Sequence, residues 1–247
     1  MLWVGTSWKM NKTLAEAREF ATRLSAALSD GAPEGVQPFI IPPFTATTTV
    51  RAILGDDSPV VLGVQNAHWA EAGAWTGEIS VPQAADAGAT LVEIGHSERR
   101  EFFAETDETV NLKVKATLAH GLVPLLCVGE PGEVFEAGGS VAHIMGQVAA
   151  ALDGIDDVSR VLIAYEPIWA IGEHGREARP SDIEAVFAAL DAEYGDTVDA
   201  ILYGGSVNQG NAAETLQVPG VNGLFVGRSA WSVDGYLELL RIAAASV

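Results

Sequence analysis

Eight short apolar runs, recurring at intervals of roughly thirty residues, constrain the fold of this 247-residue chain more than any other feature. They are LWVGTSW (2–8), PFIIPP (38–43), VVLGVQNA (60–67), TLVEIGHS (90–97), LVPLLCVGE (122–130), RVLIAYEP (160–167), AILYGGS (200–206) and GLFVGRS (223–229). Each is bounded by glycine, proline or a polar cluster. Each is apolar at both alternating positions, the pattern of a strand covered on both faces.

Segments of helical spacing lie between the runs. Thr13 with Glu16 marks a capping box ahead of LAEAREFATRLSAAL, and Ser181 with Glu184 repeats the pattern before IEAVFAALDAEY. Thr106 opens TDETVNLKVKATLAHG, which closes on Gly121, a residue suited to leaving a helix. Strands alternating with helices imply right-handed βαβ units and a parallel sheet. Eight units in this length predict a closed (β/α)8 barrel forming one domain over residues 1–247, with an open doubly wound sheet as the alternative. No linker or low-complexity stretch interrupts the pattern.

Composition narrows the partners. Fourteen Lys and Arg against 33 Asp and Glu give a formal charge of −19, which argues against a nucleic-acid partner. An anionic substrate therefore needs a local site of backbone N–H groups and a few cations. No run reaches membrane-spanning length, and the single cysteine, Cys127, precludes an internal disulfide, so a cytoplasmic protein is expected. The five histidines form no close ligand pair, so no metal site is expected. No nucleotide-binding glycine fingerprint appears, and no cofactor is expected.

In such a barrel, chemistry belongs to the loops after the strand C-termini. Lys9 follows run one, Asn66 run three, His96 run four, Glu166 run six, Ser206 run seven and Gly227 run eight. Taken singly, each has an ordinary structural reading. Convergence on one barrel mouth favours chemistry. The glycines of YGGS (203–206) and FVG (225–227), each ahead of a helical segment, suggest N–H groups for a phosphate. The segment AIGEHGREA (170–178) suggests a loop that closes over it. One glutamate, one histidine and one lysine around a phosphate suit proton transfer next to a carbonyl.

WKMN (8–11), GHSERRE (95–101), AYEPIWAIG (164–172), YGGSV (203–207) and the FVG turn, in that order, resemble the triosephosphate isomerase family over the full chain. The resemblance implies that Glu166 moves the carbon-bound proton, that His96 polarises and shuttles protons between the oxygens, and that Lys9 steadies the developing charge. It further implies phosphate-binding groups at Gly172, Ser206 and Gly227, and a supporting role for Glu98 beside Lys9. It implies a homodimer in which AWTGEIS (74–80), with Trp75 and Thr76, enters the neighbouring subunit. The substrate would be a small phosphorylated ketose or aldose.

Several positions depart from the family. Ser7 stands where members carry asparagine, and losing such a donor costs on the order of 10²–10³ in rate. The phosphate turn is Gly227-Arg228 rather than Gly-Gly, and Arg228 either adds charge near the phosphate or pairs with a carboxylate. Glu173-His174 lengthens the closing loop, and His174 either touches substrate or faces solvent. NAHWAEAGAW (66–75) is unusually aromatic. Shortening the side chain at position 7 removes volume beside the reacting carbon, leaving room for an extra CH2OH. GTSWKMNKT, NAHWAEAGAWTGEIS and FVGRSAW are similar to the branch that interconverts L-erythrulose 1-phosphate and D-erythrulose 4-phosphate in erythritol breakdown. A triosephosphate isomerase that tolerates Ser7, or a barrel that only binds, remain the alternatives.

Overall fold

The computed structural model describes residues 1–172 and 175–247. Glu173 and His174, both named above, lie outside the described residues. Eight parallel strands pair in sequence order and close on themselves: β1 (Leu2–Ser7), β2 (Val36–Ile41), β3 (Val61–Val64), β4 (Leu91–Ile94), β5 (Val123–Val128), β6 (Leu162–Tyr165), β7 (Ala200–Tyr203) and β8 (Gly223–Val226). The barrel expected from the eight runs is the one observed, and the open sheet is excluded by the β1–β8 pairing.

Helices fill the connections. α1 (Leu14–Ala27) follows β1, α2 (Phe44–Leu54) follows β2 and α3 (Val81–Asp86) follows β3. β4 leads into α4 (Ser97–Phe102) and α5 (Asp107–Ala119), and β5 into α6 (Gly132–Glu136) and α7 (Ser140–Leu152). α8 (Pro180–Tyr194) returns from β6, α9 (Ala212–Thr215) from β7 and α10 (Val233–Ala244) from β8. α1 shows how the sequence writes such an element. Thr13 and Glu16 form the reciprocal cap, with the Thr13 N–H donating to Glu16 at 2.7 Å. The stripe Ala17, Phe20, Ala21 and Leu24 buries one face. α8 begins differently from the expected Ser181 cap. Pro180 takes the first helical position, and Asp182 accepts from the Arg179 N–H at 2.9 Å, which puts Ser181 inside the first turn.

The period of two in each strand divides the core in two. Outward residues such as Val4, Ile40, Val92 and Ile163 pack against the helices. Inward residues fill the barrel in layers, among them Trp3, Phe39, Leu91, Leu125, Leu162, Leu202 and Phe225. Gly5 is inward too, because a Cβ there would overlap the Phe39 ring. Glu93, inward between Leu91 and Gly95, breaks the apolar rule and is 3% exposed.

Candidate active site

At the C-terminal mouth lies a cavity of about 430 Å³ whose wall contains Ser7, Lys9, His96, Glu98, Glu166, Gly172, Ser206, Gly227 and Arg228. The structure thus brings together Glu166, His96 and Lys9 with Ser7, Gly172, Ser206, Gly227 and Arg228. The nominated dimer-loop residues Trp75 and Thr76 lie elsewhere. They line a separate hollow in the loop after β3, where Trp75 packs against His68 with ring centroids 4.3 Å apart.

Lys9 is delivered by a strained turn. Its φ of +50° is unusual for a residue with a Cβ, and Gln65 donates to its carbonyl at 2.8 Å. Nζ donates to Glu98 Oε1 at 2.7 Å. Burial disfavours the ammonium, but the hydrogen bond and charge of Glu98, with the charges of Glu166 and Glu93, outweigh it, so the Lys9 pKa is raised. Burial likewise opposes ionisation of Glu98, and Lys9 more than offsets it, holding that carboxyl below its usual range.

His96 caps α4: the backbone N–H of Glu98 donates to Nδ1 at 3.2 Å. An accepting Nδ1 leaves the ring proton on Nε2, which lies 3.6 Å from Glu166 Oε2. Burial, then the charge of Lys9, lowers the His96 pKa to about 4, so the ring is neutral near pH 7. Beneath the ring, a buried network holds the backbone. Glu105 accepts from Gly95 N (3.0 Å), Arg99 Nε (2.7 Å) and Lys113 Nζ (2.9 Å), and Lys113 also donates to Asn66 Oδ1 at 2.8 Å. Asn66 is therefore part of this underpinning and is absent from the cavity wall, contrary to its expected place at the mouth.

Glu166 is 3% exposed, and Gly204 makes its position possible, since a Cβ on Gly204 would approach Glu166 Cγ to 2.6 Å. Burial, then the nearby carboxyl of Glu93, raises the Glu166 pKa to about 8. Lys9 and a hydrogen bond from Cys127 pull the other way. A carboxylate in this range is well matched to taking a proton from carbon near neutral pH.

The expected phosphate corner is only partly built from helix starts. Gly227 precedes a single 3-10 turn (Arg228–Ala230), but α9 begins six residues after Ser206, which instead sits in a turn. The Ser206 hydroxyl donates to the Ala170 carbonyl and so ties the loop after β7 to the loop after β6. Gly172 has φ +88° in that second loop. Arg228 is exposed at the rim and makes no ion pair among the described residues. Nor, among those residues, does any group of three or more His, Cys, Asp or Glu come together to hold a metal ion.

Sequence reasoning passed over Glu93 and Cys127. The signal for Glu93 was present, because a carboxylate at the parity of Leu91 inside an apolar run must point into the barrel.

The chain resembles known proteins along its length. A family model described as triosephosphate isomerase matches residues 2–243. L-Erythrulose-1-phosphate isomerase of Mycolicibacterium smegmatis is 60% identical over 99% of this chain and 94% of its own. The proteins of that name from Mesorhizobium japonicum and Brucella abortus are 50% and 49% identical, over 99% of this chain and 98% and 97% of theirs. A full-length family match, a closed eight-stranded barrel and a buried glutamate facing a neutral imidazole at its mouth agree: the chain belongs to the triosephosphate isomerase family.

Proposed function

We propose that this protein interconverts L-erythrulose 1-phosphate and D-erythrulose 4-phosphate by proton transfer through an enediolate. Glu166 removes the proton from C3 of the 1-phosphate, and the C3–H electron pair flows into the C2 carbonyl. The Nε2–H of neutral His96 donates to the oxygen that gains charge, and Lys9 stabilises that charge. His96 then redistributes the hydroxyl protons, Glu166 returns its proton to C2, and the ketone stands at C3. Hydrogen moves as a proton and the electrons stay in the substrate, so the chain's own groups suffice. Gly172, Ser206, Gly227 and Arg228 are assigned to the phosphate, and Glu98 holds Lys9.

The observation that carries the four-carbon substrate is Ser7. It lies in the cavity wall beside Lys9, where the family places a longer amide, and the bulky Trp75 is in another hollow. The names of the most similar relatives support the same reading. The purified protein should show kcat/KM at least about tenfold higher for the tetrulose phosphate than for glyceraldehyde 3-phosphate. Equal or reversed values would remove the tetrulose reading.

A homodimer completes the reading. Met10, Trp75, Phe102 and Phe103 are 97%, 50%, 67% and 65% exposed. Met10 and Trp75 stand on the loops after β1 and β3, Phe102 and Phe103 at the end of α4, and such exposed apolar side chains suit a subunit contact. Trp75 and Thr76 would belong to the loop that crosses it. A cytoplasmic setting agrees with the one buried cysteine, and no helix among the described residues is long and apolar enough to cross a membrane.

A further inference from the structure

β1 pairs with β8 in register from Trp3–Gly223 to Thr6–Val226, and there the ladder stops, because β8 gives way to a turn at Gly227. Successive residues of a strand offer their backbone groups to opposite neighbours. The Trp3 N–H donates to the Asn222 carbonyl on the β8 side at 3.0 Å, so Ser7, at the same parity, offers its carbonyl to that side too. The donor it meets is an indole: Trp231 Nε1 donates to the Ser7 carbonyl at 2.9 Å. Trp231 is also held through its backbone. Its N–H closes the 3-10 turn onto the Arg228 carbonyl at 3.1 Å, and its carbonyl accepts from Lys12 Nζ at 2.6 Å. Lys12 reaches it from the loop after β1, with φ +72° and its ammonium 5.2 and 5.1 Å from the ring centroids of Trp8 and Phe20. A left-handed backbone is costly for a lysine and persists only where its surroundings hold it.

Ser7, Lys9, Gly227, Arg228 and Trp231 all border the cavity. One tryptophan therefore stitches the turn assigned to the phosphate to the strand end that carries Ser7 and, two residues on, Lys9. We infer that Trp231 is a positioning residue for the isomerisation: through its indole N–H and its Lys12-bound carbonyl it fixes the separation between the phosphate turn and the Ser7–Lys9 end of β1. This rests on the assignment of the phosphate to Gly227 and Arg228 above, and it applies to a three-carbon or a four-carbon substrate alike. A phosphate anchored on one loop brings the reacting carbons to Lys9, His96 and Glu166 only while the two loops keep their spacing. A misplacement of about 1 Å costs on the order of 10²-fold in rate. The phosphate contacts themselves survive such loosening, so the loss falls on kcat and not on KM.

The test is a double-mutant cycle, assayed on whichever of the two sugar phosphates the wild type turns over faster. Trp231→Phe keeps a ring and removes the N–H; Lys12→Met keeps an unbranched stem and removes the ammonium. Trp231→Phe should lower kcat roughly 10–100-fold, while KM and the inhibition constant of inorganic phosphate change by less than about threefold. Lys12→Met should lower kcat in the same way by a smaller factor. In the Trp231→Phe background it should have almost no further effect, because the lysine acts through the indole. A lower urea midpoint with kcat per folded molecule unchanged would make Trp231 merely structural and overturn the inference. A loss confined to KM, or losses that multiply in the double variant, would also overturn it. If Trp231→Phe does not fold, Lys12→Met carries the test through the same split between kcat and KM. Inorganic phosphate that fails to compete with substrate in the wild type would instead overturn the phosphate assignment, so the two failures are distinguishable.

Discussion

Glu93 and Glu166 are two buried carboxyls of one barrel, and burial raises both pKa values, to about 7 and about 8, with the neighbouring Glu93 adding to the rise at Glu166. For Glu93 the causes are burial first, opposed by Ser7 and then Lys9. The stability consequence has a definite sign. Near pH 4 the group is largely protonated whether the chain is folded or not, and there is no penalty. Between its ordinary value of 4.5 and about 7 the unfolded chain releases the proton first, so the native state loses stability as pH rises. Glu93→Leu removes this loss. The stability of the variant relative to wild type should therefore grow by about 3 kcal/mol between pH 4.5 and pH 8, read from urea midpoints. Parallel profiles would show that the carboxyl is not held neutral by its surroundings. At this scale Lys9, His96 and Glu166 were legible because strand ends in a barrel share one mouth. Glu93 was hidden in plain view: its run reads as apolar until the inward parity is counted.

The strand β6 and the turn behind it carry Glu166, and one buried carboxylate holds them. Glu130 accepts at Oε1 from Ser140 Oγ (3.0 Å), Tyr165 OH (2.9 Å) and Trp169 Nε1 (2.9 Å). Those donors come from α7, from the last residue of β6 and from the 3-10 turn Ile168–Ala170, so Glu166 sits between two of them. Glu130→Leu leaves the donors unpaired and should lower stability by about 2–4 kcal/mol, measured as a lower urea midpoint at unchanged slope. An unchanged midpoint would mean that the three donors find other partners. Element existence was readable from period and caps, as Thr13–Glu16 shows. Boundaries were less so. Pro180 pre-empted the Ser181 cap because its fixed φ already suits the first helical position. Asn66 misled for a related reason. β3 ends at Val64, and past a strand end the alternation that aims side chains no longer applies, so Asn66 turns to Lys113.

Across the whole molecule, the repeating alternation was the strongest signal, because closing eight strands leaves no edge for a misplaced element. The proposed subunit contact is not written in the same way; it depends on which loops project. The exposed Trp75 gives it a handle. Trp75→Arg places a charge where an apolar contact is proposed, and sedimentation should show a shift from dimer to monomer with the fold retained by circular dichroism. A dimer that survives this change would move the contact away from the loop after β3.

Ser7 and Glu93 share a further property: both are strand residues, part of the staves and not of the rim. Barrels diversify mainly by exchanging their surface connections, to which the phosphate end of the substrate is assigned here. Ser7, on which the proposed four-carbon substrate rests, sits one storey lower, in a strand that any swap of connections would leave in place.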